Sequence, residues 1–195
     1  MPFLLVDEPS LVDGPKVTPR LHATPLNLQD REVAALVAIQ AATSSPGIQR
    51  GAVILSHLGE HALTWTAMGL VGAAKNPQLR RPWLQATATV VSAHAVSIVI
   101  KRVVRRHRPS DPRVQVHVTT PGHWSFPSSH AASTTAAAVA YSRLLGRRYP
   151  LSSIPVMMTS RVILGVHYPS DVLAGALIGA AMGHWVTRSK RVSRS

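Results

Sequence analysis

Five apolar segments, at about residues 52–73, 83–104, 129–146, 151–166 and 171–187, recur along a chain that is otherwise strongly basic. The 195 residues carry 21 Lys+Arg against 8 Asp+Glu, a formal charge of +13, yet the mean hydropathy is +0.12. Charge on that scale is compatible with positive hydropathy only if it is segregated from the apolar stretches. A helix that crosses a bilayer needs about 20 apolar residues, with a lower limit near 17. The first three segments meet that length, the fourth is short and holds Pro155, and the fifth is rich in small residues. Within the fifth, GALIGAAMG has the small-xxx-small spacing that lets membrane helices approach closely. The pattern predicts an all-α fold, an integral membrane helical bundle of about five transmembrane helices, in preference to a soluble Ala-rich bundle.

The flanks read differently. Residues 1–29 contain five prolines and are expected to form an irregular arm, and Asp7 and Glu8 spoil the basic start of a signal peptide. Residues 30–43, DREVAALVAIQAAT, predict an interfacial helix with Asp30 as its N-cap. The membrane-embedded domain is therefore expected over 30–188, and 189–195 as a basic C-terminal tail.

Composition excludes several chemistries. With no cysteine there is no disulfide, thiol nucleophile or Cys-based zinc site. Aromatic residues make up only 5%, too few to stack bases, so the basic charge points to an anionic lipid surface or substrate and not to nucleic acid. The oligomeric state is left open.

Counting hairpins along five spans brings three polar clusters to one face: KRVVRRHRP (101–109), FPSSH (126–130) and SRVILGVHYPSD (160–171). Ionisable residues converging at membrane helix ends mark a site. Lys101, Arg108 and Arg161 supply cations, and Ser128 with Ser129 opens a helix whose N-terminal amides favour an anion. His167 precedes Asp171 by four residues, so the carboxylate can hold one ring nitrogen and leave the other free to attack. His130, on the anion-binding turn, is placed to protonate a leaving oxygen. Arg102, Arg105, Arg106 and Arg113 read as headgroup or substrate-steering charges.

These stretches resemble the signature of the type 2 phosphatidic acid phosphatase family. Its pattern is Lys, six residues, Arg-Pro; Pro-Ser-Gly-His; then Ser-Arg, five residues, His, three residues, Asp. Here it reads Lys101 to Arg108-Pro109, Pro127-Ser128-Ser129-His130, and Ser160-Arg161 to His167 and Asp171, with Ser129 in the glycine position. The resemblance covers about residues 50–187. It implies a metal-independent hydrolase in which Lys101, Arg108, Ser128, Ser129 and Arg161 bind phosphate and His167 forms a phosphohistidine. Asp171 would orient that histidine and His130 would act as the acid, with no cofactor. The chain is also similar to actinobacterial members that act on polyprenyl phosphates. A membrane lipid phosphate is thus the expected substrate, decaprenylphosphoryl-5-phosphoribose of cell-wall arabinan synthesis foremost. Phosphatidate, phosphatidylglycerophosphate and polyprenyl diphosphate are the alternatives, and a non-catalytic binder of anionic lipid is the reading from another class.

HLGEH (57–61) matches the H-x-x-E-H pattern of inverted zinc peptidases. A zinc site there would lack a third ligand once Asp171 is assigned, so His57, Glu60 and His61 are expected near the active face, hydrogen-bonded or lining substrate entry. Trp65, Trp83 and Trp185 read as interfacial or packing aromatics. The opposite face gathers Lys75, Arg80, Arg81, Arg143, Arg147, Arg148 and the basic tail. The positive-inside rule then leans towards an extracytoplasmic site in a multi-pass protein of a bacterial inner membrane.

Overall fold

The structure is a computed structural model and describes residues 27–58 and 62–192, for 186–192 the backbone alone. Seven α-helices are present among the described residues: α1 (Leu28–Ala42), α2 (Pro46–Leu58), α3 (Leu63–Lys75), α4 (Arg80–Val104), α5 (Ser129–Leu145), α6 (Ser153–Ile163) and α7 (Pro169–Val192). There is no strand among them; the long α4–α5 connection carries a single bridge, His107 to Trp124, with their rings edge to face at 4.8 Å. The all-α expectation stands. Residues 1–26 of the expected arm, and Gly59, Glu60 and His61, lie outside the described residues, while Leu28 and Gln29, read as part of the arm, already belong to α1.

α5 is the central post. Its run AASTTAAAVAY is buried on every side, which only small side chains allow in a helix wrapped by neighbours. α7 lies along it through the glycines noted above. A Cβ on Gly175 would come within 2.3 Å of the Ser128 carbonyl oxygen, and one on Gly179 within 2.2 Å of that of Ala132. On the other side, α3 is tied by Tyr141 Oη donating to the Trp65 carbonyl at 2.7 Å and Trp65 Nε1 donating to Thr134 Oγ1 at 3.0 Å. Trp83 is buried against Tyr141, with ring centroids 5.2 Å apart, whereas Trp185 stays 79% exposed.

Two sequence expectations change. The apolar stretch 52–73 is not one helix: α2 ends at Leu58 and α3 starts at Leu63, after Ala62 in a left-handed conformation (φ 59°). The break falls on the polar HLGEH run, which interrupts the apolar stretch. The fourth segment gives only the 11-residue α6 after a short 3-10 turn at Tyr149–Ser152. At about 1.5 Å per residue such a helix spans roughly half of a 30 Å hydrocarbon layer. One helical stretch among the described residues, Pro77–Val104, is long and apolar enough to cross a membrane. Large apolar side chains nonetheless face outward on α3, α4 and α7, among them Leu70, Val71, Val91, Val99, Leu173 and Leu177.

α1 starts one turn earlier than expected, because Asn27 and not Asp30 is its N-cap: Asn27 Oδ1 accepts from Asp30 N–H at 2.9 Å. The helix is anchored by Gln40, whose amide donates to the carbonyls of Gln115 (2.6 Å) and Ile163 (2.9 Å) and accepts from Gln115 N–H (3.0 Å). This docks α1 across the α4–α5 connection and the end of α6. α7 continues to Val192, through most of the stretch read as a tail.

Candidate active site

The end of α4, the α4–α5 connection, the first turn of α5 and the α6–α7 turn meet at one end of the bundle. Together with α2 they enclose a cavity of about 750 Å³ whose walls include Ser56, His57, Lys101, Arg108, Ser129, His130, Arg161 and His167. The hairpin count from sequence placed the three clusters together, and the cavity is where they meet.

His167 is 3% exposed. Its Nδ1 lies 3.5 Å from Asp171 Oδ2 and its Nε2 lies 3.5 Å from Arg108 Nη1, so the ring has the carboxylate behind it and a cation before it. At that distance Nδ1 makes no hydrogen bond, but a guanidinium cannot accept and a carboxylate cannot donate, so the two neighbours favour the tautomer with hydrogen on Nδ1 and a lone pair on Nε2. Burial first, then Lys101, Arg108 and Arg161, hold the imidazole well below its usual pKa. Both effects favour the neutral ring. Asp171 is fully buried, and its Oδ2 accepts Tyr168 N–H at 2.9 Å.

The cations are aimed by carbonyls. Lys101 Nζ donates to Ser125 (2.9 Å) and Trp124 (3.3 Å). Arg108 donates to Gly122 from Nε (2.9 Å) and to Val166 from Nη1 (2.7 Å). Arg161 differs: it is 2% exposed, yet its Nε and Nη2 have no hydrogen-bond partner in the protein. A buried, unmatched guanidinium is costly unless an anion completes it.

His130 Nε2 lies 3.1 Å from the carbonyl oxygen of Ser56 on α2. A carbonyl only accepts, so that nitrogen bears a hydrogen. Ser129 lines the cavity, and its Oγ accepts from the buried Ser97 Oγ at 2.7 Å. Ser128 does not line it. Its N–H donates to the Asp171 carbonyl (2.9 Å) and its Oγ caps α5 through Ala131 N–H (3.4 Å). The cap and the backbone bond together join α5 to α7.

Two of the arginines read as steering charges are otherwise engaged. Arg113 forms a bidentate pair with Asp111 (Nε–Oδ1 and Nη2–Oδ2, both 2.9 Å), which holds the Asp111 carboxyl down at about 2. Arg106 turns inward: Nη1 donates to Asp171 Oδ1 (2.8 Å) and Ser170 Oγ (2.6 Å), and Nη2 pairs with Glu32 of α1. From the sequence Arg106 was read only as a steering charge, and Glu32 was not singled out. The one available signal was scarcity, since few acids exist in the chain and one of them sits in the apolar pattern of α1. His57 lines the cavity, while its HLGEH partners Glu60 and His61 are outside the described residues; among those described, no group of three or more His, Asp or Glu could hold a metal ion.

Comparison with known proteins bears on this geometry. The family model of the PAP2 superfamily matches residues 82–194, which takes in every cluster of the cavity's cationic wall. The chain belongs to the PAP2 superfamily. It is 49% identical over 153 residues to the decaprenylphosphoryl-5-phosphoribose phosphatase of Mycobacterium tuberculosis (strain ATCC 25618 / H37Rv), covering 78% of this chain and 86% of that one. With the protein of the same name from Mycolicibacterium smegmatis it is 52% identical over 145 residues, 74% and 81% of the two chains. Its fold is that of the transmembrane PAP2-type phosphatidylglycerolphosphate phosphatase of Bacillus subtilis, with a TM-score of 0.65 at 20% identity over 87% of this chain and 89% of that one. α1, which carries Glu32 and Gln40, lies N-terminal to the matched PAP2 region.

Proposed function

We propose that this PAP2 protein is an integral-membrane phosphatase that hydrolyses a lipid-linked phosphomonoester through a phosphohistidine. The observation that carries the reading is Arg161, buried with Nε and Nη2 unpartnered, on the same cavity wall as His167, which Asp171 faces at 3.5 Å. Lys101, Arg108, Arg161 and Ser129 bind the phosphate dianion, with arginine forks matching its oxygens. His167 Nε2 attacks phosphorus as the ester P–O bond breaks, and His130 gives the departing oxygen its proton. Water then attacks the phosphohistidine, His130 takes the proton, the P–N bond breaks and inorganic phosphate leaves. Asp171 keeps Nδ1–H directed and stabilises the ring as it gains charge. The cation cluster supplies the stabilisation that metal ions provide in other phosphoryl-transfer enzymes.

The substrate class follows from the mycobacterial relatives: a polyprenyl-linked phosphate such as decaprenylphosphoryl-5-phosphoribose, whose dephosphorylation serves cell-wall arabinan synthesis. A cavity of about 750 Å³ is far larger than a phosphate and leaves room for a sugar beside it. The outward-facing apolar side chains of α3, α4 and α7 support a multi-pass placement in the cell membrane, within one membrane domain that includes α1. The test is a substrate panel in detergent with the full chain. The reading expects phosphate release fastest from the polyprenyl phosphoribose. Faster turnover of phosphatidate, phosphatidylglycerophosphate or polyprenyl diphosphate would reassign the lipid, and binding without release would leave an anionic-lipid binder.

A further inference from the structure

We infer that Glu32 and Arg106 are positioning residues for the nucleophile, acting through Asp171, and that α1 thereby forms part of the catalytic apparatus. The inference rests on the reading of His167 as the nucleophile.

The contacts form one chain. Asp171 turns Oδ2 to Tyr168 N–H and to His167, the Ser125 hydroxyl also reaches the carboxylate, and what further fixes its rotation about χ2 is the partner of Oδ1. That is Arg106 Nη1, at 2.8 Å. Arg106 is in turn gripped on three sides: Glu32 on Nη2, Ser170 Oγ on Nη1, and the Tyr168 ring, 4.0 Å beneath the guanidinium carbon. Glu32 also accepts Ser170 N–H through Oε1 at 2.9 Å, fixing the first turn of α7 that carries Asp171. Glu32 is 7% exposed although it is an acid on a terminal helix.

Charge explains why two carboxylates flank one guanidinium. An Asp171–Arg106 pair alone is neutral and would offer little to the cation that His167 becomes when it attacks. With Glu32 the triplet carries a net −1, so Asp171 is both held by a cation and still able to stabilise the charged ring. The same contacts explain why Arg106 is engaged inside the protein while Arg102, nearby on α4, is exposed at the cavity rim.

A structural role and a positioning role separate in a double-mutant cycle, because residues that act through a shared partner are non-additive. Glu32→Gln keeps size and most hydrogen bonding, and Arg106→Lys keeps the charge but removes the fork that joins Glu32 to Asp171. In full-length protein in detergent, with an aryl phosphate as probe, each is expected to lower kcat about tenfold with KM little changed. In an Asp171→Asn background, followed over long single turnovers, the same changes should cost less than about twofold. Nitrogen-15 NMR of labelled histidine provides a readout independent of turnover: His167 should be Nδ1–H in wild type and a tautomer mixture in either variant. Equal losses in both backgrounds, a loss confined to KM, or an unchanged tautomer in both variants would overturn the inference. A wild type that forms no phosphohistidine would overturn the underlying reading, and the inference with it.

Discussion

At the scale of residues, the proposed mechanism gives the two histidines separable jobs. His167→Ala should form no phosphoenzyme with any substrate. His130 acts on the leaving oxygen, and a general acid contributes about 10²–10⁴-fold. His130→Ala should therefore be crippled on a lipid phosphate, whose alkoxide needs the proton, and much less affected on an aryl phosphate. Comparing kcat on the two substrates checks this; equal losses would mean the roles are wrongly assigned. Arg108 is among the cations that lower the pKa of His167, so Arg108→Gln should raise it. A raised pKa keeps the ring protonated, and unable to attack, to higher pH. The acid limb of the kcat/KM profile should move upward, beyond the general loss of activity. The sequence placed Lys101, Arg108, His130, Arg161 and His167 in one cavity because their spacing from helix ends is local. It could not place Arg106, two residues from Arg108, because whether a loop arginine turns in or out depends on where Glu32 lies, far away in the chain. The capping role of Ser128 was legible because a serine ahead of an Ala-rich run is a local signal.

At the scale of elements, close packing of α5 on α7 sets the distance between His130 and His167. Gly179→Ala would drive a Cβ to 2.2 Å from the Ala132 carbonyl, and overpacking of this kind typically costs about 1–3 kcal/mol or more. Gly51 of α2 has nothing within 4 Å of where its Cβ would go, so Gly51→Ala should be neutral or raise stability by roughly 0.5–1 kcal/mol. Thermal unfolding of both variants in detergent checks the contrast, and similar midpoints would contradict the packing scheme. The α7 glycines were legible because a four-residue period of small residues has few other uses. The break between α2 and α3 was not, since apolar content on both sides of HLGEH disguised it as one span. There the hydropathy pattern and the polar run conflicted, and the polar run decided.

At the scale of the whole molecule, charge orients the bundle. With Arg106 engaged in an ion-pair chain and Arg113 matched by Asp111, the active face has fewer free cations than the sequence suggests. The opposite face keeps Lys75, Arg80, Arg81, Arg143, Arg147 and Arg148, so the positive-inside rule favours an extracytoplasmic site. The chain has no cysteine, which makes Asn76→Cys a clean reporter. It should resist an impermeant thiol reagent in intact cells and react once they are opened, and labelling in intact cells would invert the topology. Turnover should also survive EDTA, because the proposed phosphate charge is met by Lys101, Arg108 and Arg161; loss on chelation with rescue by zinc would turn attention to HLGEH. The most direct test of the central claim is a rapid-quench single turnover of the purified full chain with a polyprenyl phosphoribose carrying a labelled terminal phosphate. An acid-labile, base-stable phosphoenzyme should appear at least as fast as phosphate is released, map to His167 and vanish in His167→Ala. Phosphate release with no such intermediate, or label on any other residue, would contradict the account.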